Sequence, residues 1–125
     1  MSLRVQLIED NEQNRYLLSF LLGARGHQVS AAVDGISGIR MAQTLQPDVI
    51  LLDIQLPGMH GYDVAQGLRQ IPELAHTPII AVTSYAMPGD REKALAAGCD
   101  NYIEKPIDPE TFVQDVERIV RELKS

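Results

Sequence analysis

The sequence predicts an α/β fold: a doubly wound, five-stranded parallel sheet in the order 2-1-3-4-5, with five helices covering both faces. Three observations predict it. Five short apolar runs alternate with five stretches of helical period, which implies parallel strands joined by right-handed crossovers. Two of the runs, Val49-Ile50-Leu51-Leu52 and Ile79-Ile80-Ala81-Val82, are continuously apolar, as strands buried on both faces are. The second run, His27 to Ala32, is the weakest and belongs at an edge. That placement puts the topological switch between the first and third strands.

The elements follow in order. Leu3 to Ile8 is a strand ending on the acids Glu9 and Asp10. From Asn11 the period becomes helical, with Asn14, Leu17, Leu18, Leu21 and Leu22 on one face and Gly26 in the position past the helix end. After the edge strand, Asp34 caps a helix whose shared face is Ile36, Ile39, Ala42 and Leu45. Pro47 ends it. The third strand runs from Val49 to Asp53, and Pro57-Gly58 turns the backbone. Gly61 opens a helix with Val64, Ala65, Leu68 and Ile71 inward, stopped by Pro72. Pro78 to Thr83 is the fourth strand. Pro88 starts a short helix to Ala97, stopped by Gly98. Asn101 to Lys105 is the last strand, turned by Pro106. Asp108-Pro109-Glu110 is a helix start, and the last helix buries Phe112, Val113, Val116, Ile119, Val120 and Leu123.

A length of 125 residues fits one domain over 1–125, since domains run to about 100–200 residues. The net charge of −6 lacks the basic patch of a nucleic-acid binder. One cysteine, Cys99, precludes an internal disulfide and suits a reducing cytoplasm; beside Gly98 it reads as a small buried filler. No apolar run is long enough to cross a membrane, and no signal peptide is visible. His27, His60 and His76 share no spacing and read as surface residues; Arg91-Glu92-Lys93 reads as a solvated helix face.

Four strand ends carry polar groups: Glu9-Asp10, Asp53, Thr83 and Lys105. Asp53 alone would be a turn or cap residue. In this fold, however, strand carboxyl ends form the edge where ligands sit. Three carboxylates converging there repel one another and call for a cation. All-oxygen donors without His or Cys favour Mg²⁺. Lysine and hydroxyl groups on the neighbouring strands suit phosphoryl oxygens. An aspartate among such groups serves as a nucleophile toward phosphorus, with charge neutralisation and positioning supplying the catalysis.

With these residues in place, the whole chain resembles a receiver domain of bacterial two-component response regulators, of the single-domain chemotaxis and cell-division type. The matching segments are Glu9-Asp10, Asp53-Ile54-Gln55-Leu56-Pro57-Gly58-Met59, Thr83, Tyr102 and Lys105-Pro106-Ile107-Asp108. The resemblance implies a flavodoxin-like fold and a cis bond before Pro106. It implies that Asp53 accepts a phosphoryl group from a phosphohistidine of a sensor histidine kinase or a histidine phosphotransfer protein. Asp10, Asp53 and the Gln55 carbonyl would ligate Mg²⁺ directly, and Glu9 mainly through water. Thr83 and Tyr102 would form the switch, acting on a face made by the fourth helix, fifth strand and fifth helix that binds a downstream protein. The chain would not be an enzyme beyond Mg²⁺-dependent self-phosphorylation and autodephosphorylation, and would act in the cytoplasm without nucleic-acid or membrane partners. Gln55 and Tyr85 would border the path of the hydrolytic water, and the bulk of Tyr85 implies a long-lived phosphoryl group. His60 departs from the acid frequent at that position.

Two other classes compete. An aspartyl phosphohydrolase of the haloacid-dehalogenase kind would want a second acid two residues after Asp53, where Gln55 stands. A flavin-binding module would want a Ser/Thr/Gly-rich loop after the first strand, where Glu9-Asp10-Asn11 would repel a phosphate. No output domain follows the last helix in this sequence, which reads as a stand-alone regulator or as a receiver from a larger protein.

Overall fold

The computed structural model describes residues 2–56, 58–84 and 89–124. Its elements are β1 (Arg4–Ile8), α1 (Glu12–Ala24), β2 (Gln28–Ala32), α2 (Gly35–Leu45), β3 (Val49–Asp53), α3 (Gly61–Arg69), a 3-10 turn (Pro72–Leu74), β4 (Ile79–Thr83), α4 (Asp90–Ala97), β5 (Asn101–Glu104) and α5 (Phe112–Lys124). The strands pair in parallel in the order β2-β1-β3-β4-β5. Pro57, Tyr85 and Pro88, to which the sequence assigns a turn, a water path and a helix start, lie outside the described residues.

The alternation of side chains along the strands divides the core in two. Val5, Leu7, Leu51 and Val82 pack with Leu18 and Leu22 of α1 and with Phe112, Val116, Ile119 and Val120 of α5. Ile8, Ile50, Leu52 and Ile79 pack on the other face with Ala42, Val64, Leu68 and Ala94 of α2, α3 and α4. Each large side chain buried this way stabilises the fold by about 1.5–3 kcal/mol relative to exposure.

The capping chemistry follows the sequence closely. Asn11 accepts from the Asn14 N–H to start α1, and Asp34 accepts from the Ser37 N–H to start α2. Gly98 (φ +116°) ends α4, and its N–H is donated to the carbonyls of Ala94 and Leu95. Cys99 is buried, as expected of a filler.

Four expectations are corrected. In α2 the buried positions are Gly35, Gly38 and Ala42, while Ile36 is 59% and Leu45 41% exposed. The helix lies so close to its neighbours that a Cβ on Gly38 would stand 2.6 Å from Ile8 Cδ1, and one on Gly35 2.6 Å from Val64 Cγ2. The smallest residues therefore take the innermost positions, Ile36 and Leu45 are turned out, and Ile39 packs on the core as expected. In α5 the buried face ends at Val120, and Leu123 is 44% exposed. That helix begins at Phe112; Asp108 instead organises a turn, its Oδ1 accepting from the Glu110 N–H and its carbonyl from Phe112. Finally, His27 is buried rather than on the surface.

Candidate functional site

The strand register brings the polar ends level. Ile8 lies opposite Leu52, so the residues that follow them, Glu9 and Asp53, are neighbours at the carboxyl edge. Asp53 pairs with Val82, placing Thr83 one step further on, and Thr83 pairs with Glu104. Lys105 follows; its N–H is donated to the Thr83 carbonyl at 2.8 Å. The Lys105–Pro106 peptide is cis.

Side chains converge from this framework. Lys105 Nζ lies 2.9 Å from Glu9 Oε1 and 3.6 Å from Asp53 Oδ2. Carboxylate oxygens of Glu9, Asp10 and Asp53 all fall within 4.8 Å of one another. Glu9 and Asp53 are buried while Asp10 is exposed, so the cluster opens to solvent on the Asp10 side. The donor set is all oxygen and carries more negative charge than Lys105 balances, which fits a hard divalent cation such as Mg²⁺. Thr83 is 1% exposed and Tyr102 half-buried. Gln55 is exposed; its N–H is donated to Asp53 Oδ1 at 2.9 Å, and its Oε1 accepts from Ser84 Oγ at 2.8 Å.

The electrostatics are those of two buried carboxyls in hydrogen-bond contact, shifted in opposite directions. Burial, a hydrogen bond with Glu9 and the Glu9 charge push Asp53 up to about 7, against the opposing pull of the Gln55 N–H and Lys105. Burial also raises Glu9, but hydrogen bonds to Asp53 and Lys105, the Lys105 charge and the Asn11 N–H outweigh it and hold Glu9 below the usual carboxylate range. Of the two, Asp53 is therefore the carboxyl whose charged form is disfavoured, and a cation beside it would oppose that shift.

Three residues of this edge escaped the reading of the sequence. Arg15 donates from one nitrogen to the carbonyls of Glu9 and Asp10, at 3.0 and 2.8 Å, and so fixes the backbone of the acid pair. Its place on α1, one turn past the acids, was the available signal. Ser84 steadies the Gln55 side chain at the mouth of the site. Gly61, read as a helix opener, also closes the loop onto the strand end. A Cβ there would meet Ile54 Cα at 2.4 Å and the Asp53 carbonyl at 2.9 Å. His60, the departure noted above, is the N-cap of α3, its Nδ1 accepting from the Tyr62 N–H.

Comparison with known proteins agrees with this arrangement. The family model of the response regulator receiver domain matches residues 5–117. The polar-differentiation response regulator DivK of Brucella ovis is 40% identical over 116 residues, covering 93% of this chain and 94% of that protein. The chain superposes on the chemotaxis response regulator CheY4 of Vibrio cholerae with a TM-score of 0.90 and 28% identity, over 95% of this chain and 99% of that one. It is also similar to the receiver domain of a sensor histidine kinase from Pseudomonas aeruginosa PAO1, whose crystal structure has a magnesium ion coordinated in the active site cleft. There the TM-score is 0.86 and the identity 32%, over 100% of both chains.

Proposed function

The chain belongs to the response regulator receiver family, a phosphoacceptor module of two-component signalling, and on that premise we propose that Asp53 is its phosphoacceptor. The observation that carries this reading is the convergence of Glu9, Asp10 and Asp53 with Lys105 at one sheet edge. An Asp53 oxygen forms a bond to phosphorus as the P–N bond of a phosphohistidine breaks, the electron pair returning to the imidazole nitrogen. Asp10, Asp53 and the Gln55 carbonyl would hold Mg²⁺, with Glu9 acting through water, and the ion would supply positive charge against the carboxylates and phosphoryl oxygens. Lys105 moves from Glu9 toward the new phosphoryl oxygen. The Thr83 hydroxyl donates to another, and Tyr102 fills the space that Thr83 leaves.

The donor is a sensor histidine kinase or a histidine phosphotransfer protein. The receiving partner binds the face of α4, β5 and α5, where Arg91, Glu92, Lys93 and Leu95 are exposed. We read residues 1–125 as one receiver domain acting in the cytoplasm. No described helix is long and apolar enough to cross a membrane. Self-phosphorylation and autodephosphorylation are its chemistry.

The test is labelling by acetyl phosphate. Native protein should be labelled at one site, only with Mg²⁺, and Asp53→Asn should take no label, because an amide is a poor nucleophile. Full labelling of that variant would refute the assignment.

A further inference from the structure

The switch through Thr83 and Tyr102 is one connection between the strand edge and α4. The structure contains a second. The loop after Asp53 ends at His60, whose ring packs against Tyr62 at a centroid distance of 4.7 Å. Tyr62 lies on the first turn of α3, half-buried against the same core cluster as Tyr102. Its hydroxyl reaches across to α4 and donates to the backbone carbonyl of Asp90, the first residue of that helix, at 3.3 Å. Burial and the nearby Asp90 carboxylate raise the Tyr62 phenol, which keeps it protonated and a donor. Tyr102 also feels both Asp90 and Tyr62. Two tyrosines, one from α3 and one from β5, thus pack on one core cluster, and Tyr62 reaches from it to the start of α4.

This contact coexists with Lys105 seated on Glu9. Lys105 is nearer Glu9, at 2.9 Å, than Asp53, at 3.6 Å, whereas a phosphoryl group on Asp53 would draw it away. A distance of 3.3 Å is long for a bond between oxygens, so it holds α4 lightly and opens at little cost. A carbonyl in the first turn of α4 moves whenever that helix start is repacked. A contact made in one of two states biases the equilibrium by its differential strength.

We propose that Tyr62 is a positioning residue of the switch, its hydroxyl latching the first turn of α4 to α3 in the resting state. The inference rests on the phosphoacceptor reading of Asp53. By linkage, a change that weakens the resting state must tighten any ligand that selects the activated one. Beryllofluoride with Mg²⁺ is the probe, since it stands in for the phosphoryl group on an aspartate.

The experiment compares native protein with Tyr62→Phe, which keeps the ring and removes only the hydroxyl. Half-saturation by beryllofluoride is measured at fixed Mg²⁺ and fluoride, with amide hydrogen exchange across residues 90–94 before beryllofluoride is added. Support is half-saturation at about two- to five-fold lower beryllofluoride in Tyr62→Phe, together with faster exchange at the start of α4. Tyr62→Leu, a second variant without the hydroxyl, should shift in the same direction. Unchanged or weaker beryllofluoride binding in both variants, with or without a change in exchange or thermal midpoint, overturns the latch. Native protein that takes up no beryllofluoride at Asp53 overturns the phosphoacceptor reading and the inference with it, a different outcome from native binding with no effect of the substitution.

Discussion

The two edges of the sheet hold charge in opposite ways. At the amino edge, buried and half-buried charges are matched. His27 Nδ1 accepts from the Leu3 N–H at 3.0 Å, and its Nε2 meets Glu117 Oε2 at 2.8 Å. The other Glu117 oxygen accepts from Arg25 at 2.7 Å. Across the sheet, at the starts of β4 and β5, Arg69 joins Asp100 and donates to the carbonyls of Gly98, Leu74 and Thr77, tying α3, the 3-10 turn and the start of β5 together. At the carboxyl edge, Glu9, Asp10 and Asp53 face Lys105, and Asp53 is pushed up to about 7. Satisfied charge staples a fold; unsatisfied charge at a strand edge is stability given up for a ligand.

Removing charge should therefore act with opposite sign at the two edges. Glu117→Ala should have the largest effect, a loss of about 2–4 kcal/mol, because it strands the His27 N–H in the core and frees Arg25. Urea unfolding measures it, and labelling of Asp53 should be unaffected. A loss under about 0.5 kcal/mol would mean that the cluster is no staple.

Beside the Lys105 contacts, the acid edge is held by backbone closure at Gly61, and Gly61→Ala attacks that closure. Its Cβ would crowd Ile54 and the Asp53 carbonyl. Overpacking of this kind should cost about 1–3 kcal/mol and slow labelling at Asp53, both readable on one purified variant. Native stability with a native labelling rate would show that the loop adjusts freely.

A pH titration sharpens the contrast. Asp53 binds its proton more tightly folded than unfolded, so its contribution to stability is fully present below about pH 4 and is lost as pH rises toward about 7. Glu9, shifted down, contributes stability present above its usual range and lost as pH falls, so between pH 5 and 7 the Asp53 contribution dominates. Metal-free Asp53→Asn should thus gain about 1–2 kcal/mol over native protein between pH 5 and pH 7, and Mg²⁺ should erase the gain. A stability difference that stays flat with pH would remove the upward shift from Asp53.

The smallest expected effect is at the solvent side of the cluster. Asp10→Asn should weaken Mg²⁺ binding about tenfold, roughly 1.4 kcal/mol, and leave the metal-free protein slightly more stable. Calorimetric titration with Mg²⁺ reads the first and thermal melting the second; unchanged affinity would remove Asp10 from the ion's surroundings.

Local patterns in the chain determined the strands, their order, the caps of α1 and α2, and the acids, hydroxyl and lysine at the carboxyl edge. Each of those signals lies within a few neighbours: an apolar run ending on an acid, a lysine before a proline, an asparagine at a helix start. The packed structure decided what depends on distance in space. His27 meets Glu117 across a sequence separation of 90, and neither residue's neighbours announce the other. A trace of the pairing was present, since Glu117 follows Val113 at the i,i+4 spacing of the buried face of α5. The inward turn of Gly35 and Gly38 was likewise fixed by how closely α2 approaches Ile8 and Val64, a separation no helical period encodes. So was the upward shift of Asp53, because burial and the nearness of Glu9 exist only once β1, β3 and β5 are assembled into one sheet. Periodicity and turn chemistry are properties of the chain, whereas close approach and electrostatic pairing are properties of surfaces that only folding brings together.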